Sequence, residues 1–133
     1  MNRLTTVIDH ISIPVRDLAQ SVAFYASVLS KLGFAKLVEK PGTVGFGKKY
    51  PEFWLNHRPD VHGHDGDEGF HVCLRARTID QVNAFHTVAT RLGAESDGDP
   101  GLRPEYSDNY YAAFIRDKDG NRIEVVTFVA GAQ

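Results

Sequence analysis

Two stretches of this chain are near copies of each other, and a chain that repeats itself in this way folds as a repeat. Setting "HISIPVRDLAQSVAFYASVLSKLG" above "HVCLRARTIDQVNAFHTVATRLG" aligns His10 with His71 at an offset of 61. Asp17 then falls on Thr78, Gln20 on Gln81, Ala23 on Ala84 and Phe24 on Phe85, with Gly33 and Gly93 one residue out of step. A second alignment, "GKKYPEFWL" over "DKDGNRIEV" at an offset of 70, sets Phe53 on Ile123 and Trp54 on Glu124. One supersecondary unit is used twice.

Each copy has its own physical logic. "TVIDHISIPV" and "FHVCLRA" alternate or run apolar as strands do, and each is followed by a helix start: Asp17 with Gln20, and Thr78 with Gln81, match the capping-box spacing. Leu18, Val22, Tyr25, Val28, Leu29 and Leu32 recur at helical spacing in the first copy, as do Ile79, Val82, Phe85, Ala89 and Leu92 in the second. Gly33 and Gly93 stand where a left-handed helix cap belongs. Strand candidates follow: "FAKLVEK", "TVGFGK" and "EFWLN" in the first half, and a weak region before "NYYAAFIR" and "RIEVVTF" in the second. Each half therefore reads as strand, helix and about three strands. The expected organisation is one domain over 1–133, with a first module over about 1–58, a linker over about 59–68 and a second module over about 69–130.

The bulk numbers limit the partners. A chain of 133 residues, 42% hydrophobic and 24% charged, suits one well-buried core. A formal charge of -2 with both signs interspersed gives no footprint for nucleic acid or an anionic membrane surface. The N-terminus lacks a signal-peptide pattern and no apolar run is long enough to span a bilayer, so a cytoplasmic protein is the expectation. The one cysteine, Cys73, excludes an internal disulfide, and inside "FHVCLRA" it reads as a small buried filler. His57, His62 and His64 lie in the polar stretch "HRPDVHGHDGDEG" without regular ligand spacing, and read as linker residues.

One residue resists a purely structural account. Glu124 sits in the middle of the apolar strand "RIEVVTFV", and a carboxylate facing a core costs several kcal/mol unless something pairs with it. Either its face is wet, or a cation meets it there. Arg75 and Arg122 are the protein cations on neighbouring positions of that face. Alternation on the preceding strand puts Tyr110, Ala112 and Phe114 on one face and Tyr111, Ala113 and Ile115 on the other, against the helix.

The tandem strand-helix-strand-strand-strand halves, a histidine in the first strand of each, and "RDKDGNRIEVV" near the end resemble the vicinal oxygen chelate superfamily. That superfamily holds glyoxalase I, extradiol dioxygenases, fosfomycin-inactivating enzymes and bleomycin-resistance proteins. "PGLRPEY" followed by "NYYAAF" is similar to its small single-chain glyoxalase-like proteins. The resemblance implies an α+β fold of two tandem βαβββ modules whose curled mixed sheet surrounds a cleft holding one divalent metal ion, zinc, iron(II), manganese or nickel.

Carried over residue by residue, the pattern implies His10, His71 and Glu124 as metal ligands. Trp54 stands where glyoxalase I has a further ligand, and an indole cannot ligate a divalent ion. Two imidazoles and one carboxylate leave open positions for water or substrate. Such an ion polarises a small molecule with adjacent oxygen atoms, in a lyase, an isomerase or an oxygenase. Glu124 and Tyr110 are the candidate catalytic groups, and Trp54, Phe114, Arg103 and Tyr106 the candidate substrate contacts. The chain departs from both named enzymes. Glyoxalase I uses a metal-site glutamate as base, and here only Glu124 is available, its partner position being Trp54; the dioxygenase pattern has a tyrosine where Phe114 stands and a proline where Lys118 stands. The alternative reading is a metal-free protein of the bleomycin-resistance type that binds or sequesters a small molecule. In either case exposed sheet edges make a homodimer the expected assembly.

Overall fold

The computed structural model describes residues 6–63, 66 and 68–129. The first module is β1 (Ile11–Val15), α1 (Leu18–Ser30), β2 (Ala35–Lys40), β3 (Thr43–Gly47) and β4 (Pro51–His57). The second is β5 (Val72–Arg75), α2 (Ile79–Arg91), β6 (Glu95–Leu102), β7 (Tyr110–Arg116) and β8 (Arg122–Phe128). The sheets run β1-β4-β3-β2 and β5-β8-β7-β6, curled and open, with one parallel pair in each: β1 with β4, and β5 with β8. The fold is α+β, two tandem βαβββ modules.

Strand register repeats the sequence offsets. Ile11 lies beside Phe53 in the first module and Val72 beside Ile123 in the second, so both alignments describe the same pairing made twice.

Both helices start at the expected caps. Asp17 Oδ1 accepts the Gln20 N–H at 3.0 Å, and Thr78 Oγ1 accepts the Gln81 N–H at 3.1 Å. Among the described residues only the second helix makes the return bond, and it reaches one residue further back: Gln81 Oε1 accepts from the Arg77 N–H at 2.8 Å. Gly33 and Gly93 adopt φ of +84° and +106°, the left-handed region that stops each helix.

The apolar stripes bury Tyr25, Val28, Leu29, Leu32, Val82, Phe85 and Ala89 in one core with Phe46, Phe53, Ile115, Ile123 and Val125 from the sheets. Leu92 departs from its expected place: it follows the last turn of α2 and is 44% exposed.

The helices pack on each other, and polar bonds tie the modules at the turn between β7 and β8. Asp119 Oδ1 accepts from Arg16 N and Nε at 3.1 and 2.8 Å, and Asn121 Nδ2 donates to the Pro14 carbonyl at 3.0 Å.

Three expectations need correction or completion. The weak region before "NYYAAFIR" is one eight-residue strand, β6, whose Gly98, Pro100 and Gly101 hid it from a propensity reading; its register breaks at Ser96/Gly98 and again at Gly98/Gly101. Cys73 is an exposed residue on the sheet face away from the helices, not a buried filler, because β5 alternates and Val72 takes the inward place. His57 closes β4, His62 borders a polar groove beside Arg16, and His64 lies outside the described residues. No helix among the described residues is long and apolar enough to cross a membrane.

Candidate functional site

Alternation along β8 turns Ile123 and Val125 to the helices and Glu124 and Val126 to the opposite face. On β7, Ala113 and Ile115 enter the main core, and the Tyr111 hydroxyl donates to Asn83 on α2 at 2.8 Å. Ala112 and Phe114 form a second small cluster with Val126 and Tyr110 on the open face. Neighbours across the sheet there run Cys73, Glu124, Phe114, Gly98 in one row and Arg75, Val126, Ala112, Gly101 in the next.

Glu124 is the polar centre of this face. It is 3% exposed, the Tyr110 hydroxyl donates to its Oε2 at 2.5 Å, and His71 Nε2 lies 2.9 Å from its Oε1. An ionised carboxylate only accepts, so it selects the His71 form with a proton on Nε2. Among the described residues His71 is its one ion-pair partner; Arg122 is held by Asp97 at 2.6 Å, and the Arg75 guanidinium sits 4.7 Å from the Phe128 ring centre. Burial and the hydrogen bond to Glu124 push the Tyr110 hydroxyl far above its ordinary value, so it stays protonated and serves as a donor.

The candidate residues of the second module lie around this centre. The Phe114 ring is 6.1 Å from the His71 ring, and Tyr106, 60% exposed, meets Tyr110 edge-on at 5.1 Å. The Arg103 guanidinium lies 5.7 Å from the Phe114 ring. In the first module Trp54 shares a face with Ser12 and Gly45, opposite the buried Phe53 and Leu55. Its indole lies across Gly45, where an added Cβ would come within 3.0 Å of two ring atoms.

Of the three expected metal ligands, the fold brings His71 and Glu124 together and leaves His10 apart. His10 precedes β1, its ring bonds Asp9 at 2.7 Å, and Asp9 in turn takes the Tyr50 hydroxyl. His10 and His71 border the same groove between the starts of β1 and β5. Among the described residues no three His, Cys, Asp or Glu side chains are grouped to hold a metal ion. The donor chemistry of the pair, an imidazole nitrogen beside a buried carboxylate, fits a divalent ion with one more protein ligand.

The family model for the Glyoxalase/Bleomycin resistance protein/Dioxygenase superfamily matches residues 7–125. The chain belongs to this superfamily. A glyoxalase/bleomycin resistance protein from Albidiferax ferrireducens T118 is 27% identical with a TM-score of 0.78, over 90% of this chain and 97% of that one. The fosfomycin resistance protein FosX from Listeria monocytogenes superposes with a TM-score of 0.69 at 13% identity, over 96% of this chain and 97% of that one. A second FosX structure, of a point mutant complexed with Mn(II) and 1S,2S-dihydroxypropylphosphonic acid, gives the same score and identity, over 96% of this chain and 94% of that one. No curated protein matches the chain.

Two features of this superfamily member escaped the sequence reading. Cys73 stands beside Glu124, and the glycines of β6 open the floor next to Phe114. Alternation carried the first signal, since Cys73 is two residues beyond His71 on the same strand face. Nothing in the sequence carried the second, because it depends on how β6 bulges.

Proposed function

We propose that this protein is a metal-dependent enzyme of the glyoxalase and dioxygenase type, acting on a small molecule with adjacent oxygen atoms. The observation that carries the reading is Glu124, a carboxylate almost wholly removed from water whose one ion-pair partner among the described residues is an imidazole. His71 and Glu124 would hold a divalent ion together with a His10 side chain. When bound there, such an ion polarises substrate oxygens and lowers the pKa of water.

The chain's own groups supply the rest. Tyr110 keeps its proton and donates a hydrogen bond to Glu124, which leaves the hydroxyl oxygen to accept from, and so orient, a hydroxyl of the substrate. Phe114, Ala112 and Val126 form a dry apolar floor, and Trp54 offers a fixed aromatic wall on the first sheet.

We further propose that the working unit is a homodimer in which a second copy brings its His10 to the His71–Glu124 pair. Among the described residues β1 and β5 each lie at a sheet edge. Beside them Val7, Ile8 and Phe70 are 95%, 71% and 58% exposed, an apolar patch suited to cover by another chain.

Metal analysis on protein purified without an affinity tag tests both statements. Wild type is expected to hold about one divalent ion per chain and to lose thermal stability with a chelator; Glu124→Gln is expected to hold little metal and to ignore the chelator. Mixing unfolded His10→Ala and Glu124→Gln chains and refolding them together should restore one site per mixed dimer. Equal metal content and chelator response in wild type and Glu124→Gln would leave the second reading, a metal-free binding protein. That reading rests on the hydrogen bonds from Tyr110 and His71, which already satisfy the carboxylate without a cation.

A further inference from the structure

We propose that Arg103 is an anchor for the oxyanion of the substrate, so that the site takes a molecule with a carboxylate or phosphonate at one end and its reacting oxygens at the other. The proposal rests on the reading of His71 and Glu124 as the reacting end.

Arg103 is held in place by the backbone rather than by a counter-ion. Its Nη1 donates to the Gly101 carbonyl at 2.9 Å and its Nη2 to the Asp99 carbonyl at 2.8 Å. Its own N–H donates to the Tyr110 carbonyl at 2.7 Å, which fixes where the side chain begins. Two of the five guanidinium N–H groups are then occupied and three remain. Carbonyl oxygens orient a guanidinium without cancelling its charge, and no carboxylate pairs with Arg103 among the described residues. Arg122, 4.6 Å from the same Phe114 ring, is the contrast: it donates at 2.6 Å to the Asp97 carboxylate, which Arg116 also approaches at 3.5 Å.

The floor of β6 is shaped around this side chain. A Cβ at Gly98 would come within 3.2 Å of Arg103 Nη2 and 3.0 Å of Phe114 Cδ1, and one at Gly101 within 3.3 Å of Nη1. Side chains at those two positions would crowd the guanidinium, which gives the glycines and the double register break of β6 a purpose. A planar, pre-oriented cation beside an aromatic floor binds a planar oxyanion with little further ordering.

Phe114 also bounds the length of the molecule. The His71 ring is 6.1 Å and the Arg103 carbon 5.7 Å from the centre of its ring, so the two ends lie no further apart than the sum of these distances. An aromatic ring with a short side chain fits within that bound.

The test compares hydrocaffeate, which carries two adjacent ring hydroxyls and a carboxylate, with its isosteric primary amide, together with homologues one carbon shorter and longer. Binding is measured by calorimetry to wild type, Arg103→Gln and Arg103→Lys, each with its metal content determined. Wild type is expected to prefer at least one acid over its amide by roughly tenfold or more, the size expected of a charge-assisted hydrogen bond. Arg103→Gln should remove that preference without weakening the amide, and Arg103→Lys should keep part of it. Absence of binding by every acid, absence of preference in wild type, or a preference that survives in Arg103→Gln overturns the proposal. Repeating the titrations with chelator separates the two readings. An Arg103-dependent preference with affinity indifferent to metal overturns the metal reading and leaves the anchor; metal-dependent affinity without any acid preference does the reverse.

Discussion

The Tyr25 hydroxyl in α1 donates to Asp117 Oδ2 at 2.6 Å, so a helix of the first module supplies one bond to a carboxylate that closes a turn of the second. Asp117 also accepts from Asn121 Nδ2 at 2.9 Å and from the backbone N–H groups of Asp119 and Asn121 at 2.9 and 2.8 Å. The carboxylate is buried and fully bonded, and it holds the turn from which Asp119 and Asn121 reach Arg16 and Pro14.

Replacing Tyr25 by Phe keeps the ring and removes the donor. The folded state should lose about 1–3 kcal/mol, the range for leaving a buried polar partner short of a bond. A lower urea midpoint with unchanged slope is the expected result; an unchanged midpoint would show that the bond contributes nothing to joining the modules.

Burial pushes the Asp117 carboxyl above its ordinary value, against the hydrogen bonds from Tyr25 and Asn121, which pull it down. A folded value above the unfolded one means that the folded state holds the proton more tightly. The resulting stability is fully present below the unfolded value and lost as pH rises through the folded one. Tyr25→Phe removes a downward influence, so the Asp117 titration followed by carbon NMR should move further up. A downward move would contradict the assignment.

Cys73 shows how a neighbour controls reactivity. The residue is exposed, yet partial burial of its thiol and the adjacent Glu124 carboxylate push its pKa up to about 12. In metal-free protein Cys73 should alkylate slowly at neutral pH, since the thiolate is the nucleophile. Glu124→Gln removes the second influence, so alkylation should quicken, as mass spectrometry would record. Equal rates would place the cause in burial alone.

Gly45 is the seat of the Trp54 indole, and Gly45→Ala puts a methyl group within 3.0 Å of the ring and of Pro51 Cβ. The ring must shift, with a stability loss of about 1–3 kcal/mol. Trp54 is the one tryptophan of the chain, so its emission reads the shift directly. An unchanged spectrum would mean that the indole does not rest on this glycine.

The architecture is legible in the repeat alone. Two offsets aligned both first strands and both last strands, and the pairing of Ile11 with Phe53 and of Val72 with Ile123 follows them, because period-two burial admits one register per face. Alternation likewise separated Tyr110, Ala112 and Phe114 from Ala113 and Ile115. Packing adds the relations between strands distant in the chain and between side chains on one face. The bulges that bring Arg103 beside Gly98 and Gly101, and the pairing of Glu124 with His71 while His10 bonds Asp9, depend on how β6 bends and on which side chains meet on one face. Local propensity is silent on these, since Gly98, Pro100 and Gly101 argue against a strand until its neighbour β7 supplies the hydrogen bonds.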